Sequence, residues 1–232
     1  MTENAATTTS TTTTTTTAND VTAGIRPSLA IGVDGVPRCA WVGDDLEYQR
    51  YHDEEWGTPL TDDRALYEKI CLEGFQAGLS WRTILLRRDA FRLAFHGFDV
   101  ERVAAMTEED VELLLQNAAI IRHRGKIEAA ISNARAVLAL EMPLSELVWS
   151  FAPPEKADNA PASLTEVPAV TPESVALSKR LRSLGFRFVG PTTMYALMQS
   201  AGLVDDHVAG CWRARDPRTQ RRSESHATRS AR

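Results

Sequence analysis

The sequence predicts an all-α fold between two structureless tails. From residue 38 onward, apolar residues recur at the i, i+3, i+4 spacing of a buried helix face. Thr61 or Asp62, Ser80, Asp89, Asp99, Thr107 and Thr171 stand where such runs begin, and these residue types cap helix N-termini. No segment alternates apolar and polar residues well enough to read as a strand.

Taken in order, residues 1–37 open with a threonine tract, Thr7 to Thr17, broken only by Ser10. Such a tract has no apolar period to offset its own ordering entropy. It lacks the basic start and apolar middle of a secretory signal, and Glu3 and Asp20 argue against a transit peptide. We read it as a disordered extension. The folded unit spans 38–212. Thr61 or Asp62 caps a helix running to about Gln76, and a short helix follows Ser80. Asp89 caps a third, with Phe91, Ala94 and Phe95 on one face, and Asp99 opens a further turn. Thr107 and Asp110 resemble a capping box leading into Val111, Leu114 and Leu115. A basic turn, 120–126, precedes a long helix whose face is Ile127, Ala130, Ile131, Ala134 and Leu138. Residues 152–170 are rich in proline and alanine without a period, and read as a loop. Thr171 and Pro172 then start a helix in the favoured order, cap before proline, with Leu177, Leu181 and Leu184 as its stripe.

Composition bounds the function. The chain is 43% hydrophobic and 25% charged, ordinary for a globular core. No apolar run approaches a membrane span. Three cysteines make no disulfide framework and point to reduced thiols in a cytoplasmic compartment. The net charge of −5 is unevenly spread. Residues 213–232 carry seven arginines against Asp216 and Glu224, leaving +5, residues 1–37 carry −2, and so 38–212 carries −8. A nucleic-acid role therefore needs basic groups gathered on one face. The arginine tail is open to two readings, a solvated end or a non-specific phosphate-binding arm.

Three constellations carry chemistry. The first is the stretch 71–81, where Glu73 stands within an apolar helical pattern that breaks at Gly78 and ends in Trp81. An unpaired buried carboxylate is costly. Either Glu73 faces water or a local partner, or it forms the floor of a pocket. The second is 181–191: a helix ends at Gly185, a candidate left-handed cap, and Gly190 precedes Pro191 at the next helix start. Free backbone N–H groups there, with Arg182 and Arg187 nearby, suit an anion. This is either an ordinary turn or a helix-hairpin-helix that grips DNA phosphate. The third is Cys39, His52, His207 and Cys211, a tetrahedral zinc set of the structural kind. His207 and Cys211 share a face if that segment is helical. Buried cysteines with satisfied histidines are the alternative.

Together, Arg38-Cys39-Ala40-Trp41-Val42, the Tyr51-His52-Asp53-Glu54-Glu55-Trp56-Gly57 run, the stretches 71–81 and 120–127, Phe188-Val189-Gly190 and Asp206-His207-Val208 resemble the DNA-3-methyladenine glycosylase I family, within the helix-hairpin-helix glycosylase superfamily. The resemblance covers about 38–211 and leaves out both tails. It implies a helix-hairpin-helix glycosylase fold and one structural zinc on Cys39, His52, His207 and Cys211. It puts Glu73 in the role of catalytic, base-binding carboxylate. It implies base-binding aromatics at Trp41, Tyr48, Tyr51, Trp56 and Trp81, with Tyr51 and Trp81 as a sandwich for a cationic base. Gly78 and Leu79 fall on a DNA-probing tip, and Arg187 and Gly190 on the phosphate-gripping hairpin. The implied activity is hydrolytic excision of 3-methyladenine flipped out of alkylated double-stranded DNA, by a monomer. Residues 190–202 contain no lysine, so a monofunctional hydrolase without lyase activity is expected. Asp205 and Asp206 lie near the place of a catalytic aspartate in related enzymes, and Asp206 is also placed to orient His207.

Overall fold

The computed structural model describes residues 28–154 and 160–214. The threonine tract and nearly all of the arginine-rich tail lie outside the described residues. The fold is mostly helical, but the all-α expectation needs a correction. Strand β1 (Leu29–Ile31) pairs antiparallel with β2 (Pro37–Cys39), Leu29 opposite Cys39. The expected disorder therefore does not extend to residue 37. Three-residue strands are too short to show a period of two. Arg38, only 6% exposed, ties this hairpin to the first helix, reaching Asp34 and Asp53 at 2.7 Å each.

Ten helices follow among the described residues: α1 (Leu46–Glu54), α2 (Asp63–Gln76), α3 (Trp81–Leu85), α4 (Arg88–Ala94), α5 (Val100–Ala104), α6 (Glu108–Gln116), α7 (Arg124–Leu138), α8 (Leu144–Trp149), α9 (Pro172–Ser183) and α10 (Pro191–Ser200). Asp62, Ser80, Asp99 and Thr107 stand where the sequence puts them, at N-caps. Asp89 does not. Arg87 holds the α4 cap position and Asp89 lies in the first turn, where the helix dipole still favours an acid. Helix α7 buries Ile127, Ala130, Ile131 and Ala134, but Leu138, its last residue, is 54% exposed.

Helix α2 is the axis of the fold. It packs against α3, α7, α8 and α10, and residues 70–75 are all buried. Tyr67 Oη donates to the Ala130 carbonyl on α7 at 2.9 Å. Asp63 accepts from the backbone N–H groups of Leu144 and Ser145, capping α8 from a distance because Pro143 offers no capping side chain. Lys126 donates to the carbonyls of Phe75 (2.9 Å) and Ala77 (2.6 Å), closing the C-terminal end of α2.

Helices α9 and α10 enclose the hairpin that presents residues 185–190. Gly185 at φ +90° takes the left-handed position after α9, its N–H bonding Arg182 O while Phe186 N–H bonds Leu181 O. These are the two bonds of a Schellman ending. Asn133 on α7 then clasps the turn from behind. Its Oδ1 accepts from Arg187 N at 2.7 Å and its Nδ2 donates to Arg187 O at 3.1 Å. Asn133 is 2% exposed, so Asn133→Ala leaves two backbone groups without that partner. Urea denaturation of this variant is expected to show a loss of about 1–3 kcal/mol.

Candidate active site

The site forms where α1, α2, α3 and α10 meet. Trp41, Tyr48, Tyr51, Trp56 and Trp81, together with Glu73, line one cavity of about 280 Å³. The five aromatics predicted from sequence are thus brought together around the predicted carboxylate. Trp41 sits at the centre of the wall, edge-on to Tyr48 at 5.0 Å and to Trp56 at 5.1 Å between ring centroids.

Glu73 is on the buried side of α2 because residues 70–75 face neighbours all round, and it is 4% exposed. Its Oε1 is 3.3 Å from Ser200 Oγ on α10, whose single proton also has the Leu197 carbonyl within reach at 3.2 Å. Burial pushes Glu73 up to about 7, opposed by the charge of Lys69 and then by Ser200. Lys69 Nζ lies 3.9 Å from Glu73 Oε1 and donates to Tyr51 Oη at 2.7 Å. Sequence reasoning missed Lys69. The available signal was its position one turn before Glu73, the spacing at which two side chains share a helix face.

One expectation fails on geometry. The Tyr51 and Trp81 rings lie 5.4 Å apart at 44°. A base stacked between two rings needs about 7 Å, two contacts of about 3.5 Å. The rings pack on each other and do not form an open sandwich. The ammonium of Lys69 already lies 4.6 Å from the Tyr51 centroid and 4.1 Å from that of Trp81. The indole N–H of Trp81 is buried with no partner among the described residues.

Gly78, at φ +80°, and the 42% exposed Leu79 project from the α2–α3 turn. They line a second cavity of about 190 Å³ with Thr192 and Thr193 of α10, and this cavity shares Glu73, Gln76 and Ala196 with the first. The α10 start is free of side-chain capping, and the Arg182 guanidinium lies near Gly190. Arg187 is 48% exposed, with Glu128 3.7 Å away. The basic turn contributes less charge than its sequence suggests. Arg124 is paired with Glu108 and Glu112, and Lys126 is buried on carbonyls, leaving Arg122 and His123 exposed.

Cys39, His52 and Cys211 offer ligand atoms within 4.8 Å of one another, all three buried. The hydrogen bond from Cys39 and the nearby His52 hold Cys211 down at about 4, while that same bond and burial push the Cys39 thiol far up. His52 Nδ1 is 2.8 Å from Asp53, and His207 Nδ1 is 2.7 Å from Asp205. A carboxylate on one ring nitrogen, leaving the other for an ion, is the usual support of a metal-binding histidine. The His207 Nε2 atom is buried and has no hydrogen-bond partner among the described residues. The donor set therefore fits a metal, with His207 beside the three-residue cluster. His207 and Cys211 are not on a helix, contrary to the spacing argument. They lie in the turns beyond α10. Asp205, not Asp206, orients His207. Asp206 faces the aromatic cavity and accepts from Tyr195 Oη at 2.7 Å and Gln199 Nε2 at 2.8 Å.

Residues 41–214 match the family model for methyladenine glycosylase. The chain is 54% identical over 177 residues to DNA-3-methyladenine glycosylase 1 of Escherichia coli K12, covering 75% of this chain and 95% of that one. It is 50% identical over 177 residues to DNA-3-methyladenine glycosylase of Haemophilus influenzae, covering 75% and 96%. Among solved structures, 3-methyladenine DNA glycosylase I from Staphylococcus aureus superposes with a TM-score of 0.73 at 36% identity, covering 77% of this chain and 97% of that one. The chain belongs to the methyladenine glycosylase family, and so is a glycosylase, a hydrolase of N-glycosyl bonds.

The raised Glu73 carboxyl has a consequence for stability. The unfolded chain releases this proton near 4.5 and the folded chain near 7. Between those values the folded state binds more protons, so stability falls as pH rises through that window. Glu73→Gln is expected to flatten this fall and to gain about 1–3 kcal/mol above pH 7, read from urea denaturation at pH 5 and pH 8.

Proposed function

We propose that this chain excises 3-methyladenine from alkylated double-stranded DNA, receiving the flipped base in the Trp41–Trp56 cavity above Glu73. One observation carries the proposal: a buried, sparsely hydrogen-bonded carboxylate at the floor of an aromatic cavity. An N3-alkylated adenine in DNA is cationic and its glycosidic bond is weakened. Aromatic faces attract a cation by about 0.5–2 kcal/mol beyond area burial. The free lone pairs of Glu73 accept a hydrogen bond from the exocyclic amine and complement the charge, whereas neutral adenine gains less. The names of the Escherichia coli and Staphylococcus aureus relatives support this substrate.

Flipping costs a few kcal/mol of unstacking. Leu79 on its glycine-flanked tip is the apolar plug that fills the vacated space. The free N–H groups at the start of α10, with Gly190 and Arg187, take the phosphate beside it. The tip and the α10 start share one small cavity, which supports a grip and a wedge acting on adjacent nucleotides. With so good a leaving group, the water nucleophile needs little activation. Base release without strand cleavage is supported by the lack of lysine in 190–202 and by Lys69 not lining the base cavity. Asp206, which does line it, is already the acceptor of two hydrogen bonds.

Cys39, His52, His207 and Cys211 would hold a structural zinc with no open position. When bound, it supplies no chemistry to the reaction and ties β2 and α1 to the segment beyond α10. Elemental analysis of reduced, chelator-free protein is expected to give one zinc per chain, and Cys211→Ser is expected to lose it. Zinc-free wild type of full stability would sink this assignment.

The activity is tested by release of free 3-methyladenine from methylated duplex DNA. Wild type is expected to release it and Glu73→Gln to fall at least about 10²-fold, the loss of a charge-assisted contact of some 3 kcal/mol. A module that only binds lesions would show duplex binding with no base release.

A further inference from the structure

Lys69 is a half-buried cation that the proposed excision chemistry does not use. Its side chain is 12% exposed, and its ammonium touches three members of the candidate site without lining the cavity itself. It donates to Tyr51 Oη at 2.7 Å, lies against the Tyr51 and Trp81 rings, and stands 3.9 Å from Glu73 Oε1. An ammonium in such a place is costly to desolvate unless it is paired. We propose that Lys69 is a positioning residue of the base cavity, fixing Tyr51 through its hydroxyl and supplying Glu73 with a counter-charge from outside the cavity lining.

The arrangement separates two tasks. A counter-cation inside the cavity would repel the cationic base. From its place against the rings, Lys69 supports the carboxylate while the cavity stays open to a positively charged ligand. Because the ammonium must donate, the Tyr51 oxygen accepts, and the phenolic proton remains for another acceptor.

The other charges around the pair are few. Glu55, Glu68 and Arg88 act on Lys69 besides Glu73, and Tyr48 and Tyr51 are the ionisable neighbours of Glu73. Burial lowers Lys69 to about 8 against the pull of Glu73, and raises Glu73 to about 7. Near neutral pH the ionised pair is therefore close to both of its limits. Removing the ammonium raises the carboxyl further, since an opposite charge at this range shifts a carboxyl by about 1–3 units. A lysine that loses its proton at alkaline pH removes the same support.

This inference rests on Glu73 acting as a carboxylate. The experiment is the pH profile of kcat/KM for 3-methyladenine release from methylated duplex DNA, in wild type, Lys69→Met, Lys69→Arg and Glu73→Gln, with thermal stability recorded for each. In Lys69→Met the acid limb is expected to move up by about one unit or more. In Lys69→Arg, whose charge does not titrate in this range, the acid limb is expected to stay and any alkaline limb of the wild type to flatten. An acid limb unmoved in folded Lys69→Met, with Glu73→Gln inactive, overturns the role of Lys69 and leaves that of Glu73 intact. Full activity in Glu73→Gln overturns the reading beneath it. If Lys69→Met does not fold, an alkaline limb that survives unchanged in Lys69→Arg overturns the proposal by itself.

Discussion

Glu73 lies in the stretch of α2, residues 70–75, that is buried throughout, and its carboxyl has one shared hydroxyl and one ammonium to answer it. Burial of this kind works against the ionised form, and a protein selected for stability alone would place an apolar residue there. Its under-satisfaction leaves lone pairs open at the edge of a cavity. A carboxylate already saturated by backbone N–H groups would have nothing left to offer a ligand. The elements around α2 keep this state in place. Asp63 binds the start of α8 to its N-terminal end, Lys126 closes its C-terminal end, and Tyr67 joins it to α7.

The aromatic wall is held just as firmly, and from a different direction. Trp56 packs edge-on to His207 at 4.5 Å, and Trp41 to His52 at 5.3 Å. The rings facing the base cavity are therefore the neighbours of the candidate metal ligands. Gly57 belongs to the same arrangement. At φ +77°, it brings the backbone so near His207 that a Cβ would lie 2.8 Å from its ring. The histidine cluster thus sets the wall of the cavity as well as the seam between the N- and C-terminal segments. Loss of this cluster would be felt in the cavity even though none of its atoms meets the base.

What the sequence made legible follows from the range of each signal. Helix positions, caps and the Gly185 ending are local, and they were readable because one or two residues decide them. The aromatics and Glu73 were readable as a set through resemblance, since no spacing alone brings Trp41 and Trp81 into one cavity. The failures are nonlocal. Helix α8 is capped by Asp63 across the fold, and Asn133 supports the hairpin from another helix. Two short strands fell below the length at which alternation shows. The Tyr51–Trp81 sandwich failed because the two rings come from different helices, and tertiary packing brings them to 5.4 Å at 44°. Which carboxylate orients His207 depended on a turn that the helical spacing argument did not anticipate.

The distribution of charge sets the terms on which this glycosylase meets a polyanion. The folded region 38–212 carries −8, which opposes DNA at long range. Much of its positive charge is spent internally, with Arg38, Arg88 and Arg124 all paired to acids. At the hairpin, the Arg182 guanidinium lies near Gly190 and Arg187 stays 48% exposed. The acidic fold therefore divides its charge: most of these arginines answer acids within the fold, while Glu73, at the cavity, is answered by one ammonium and one shared hydroxyl.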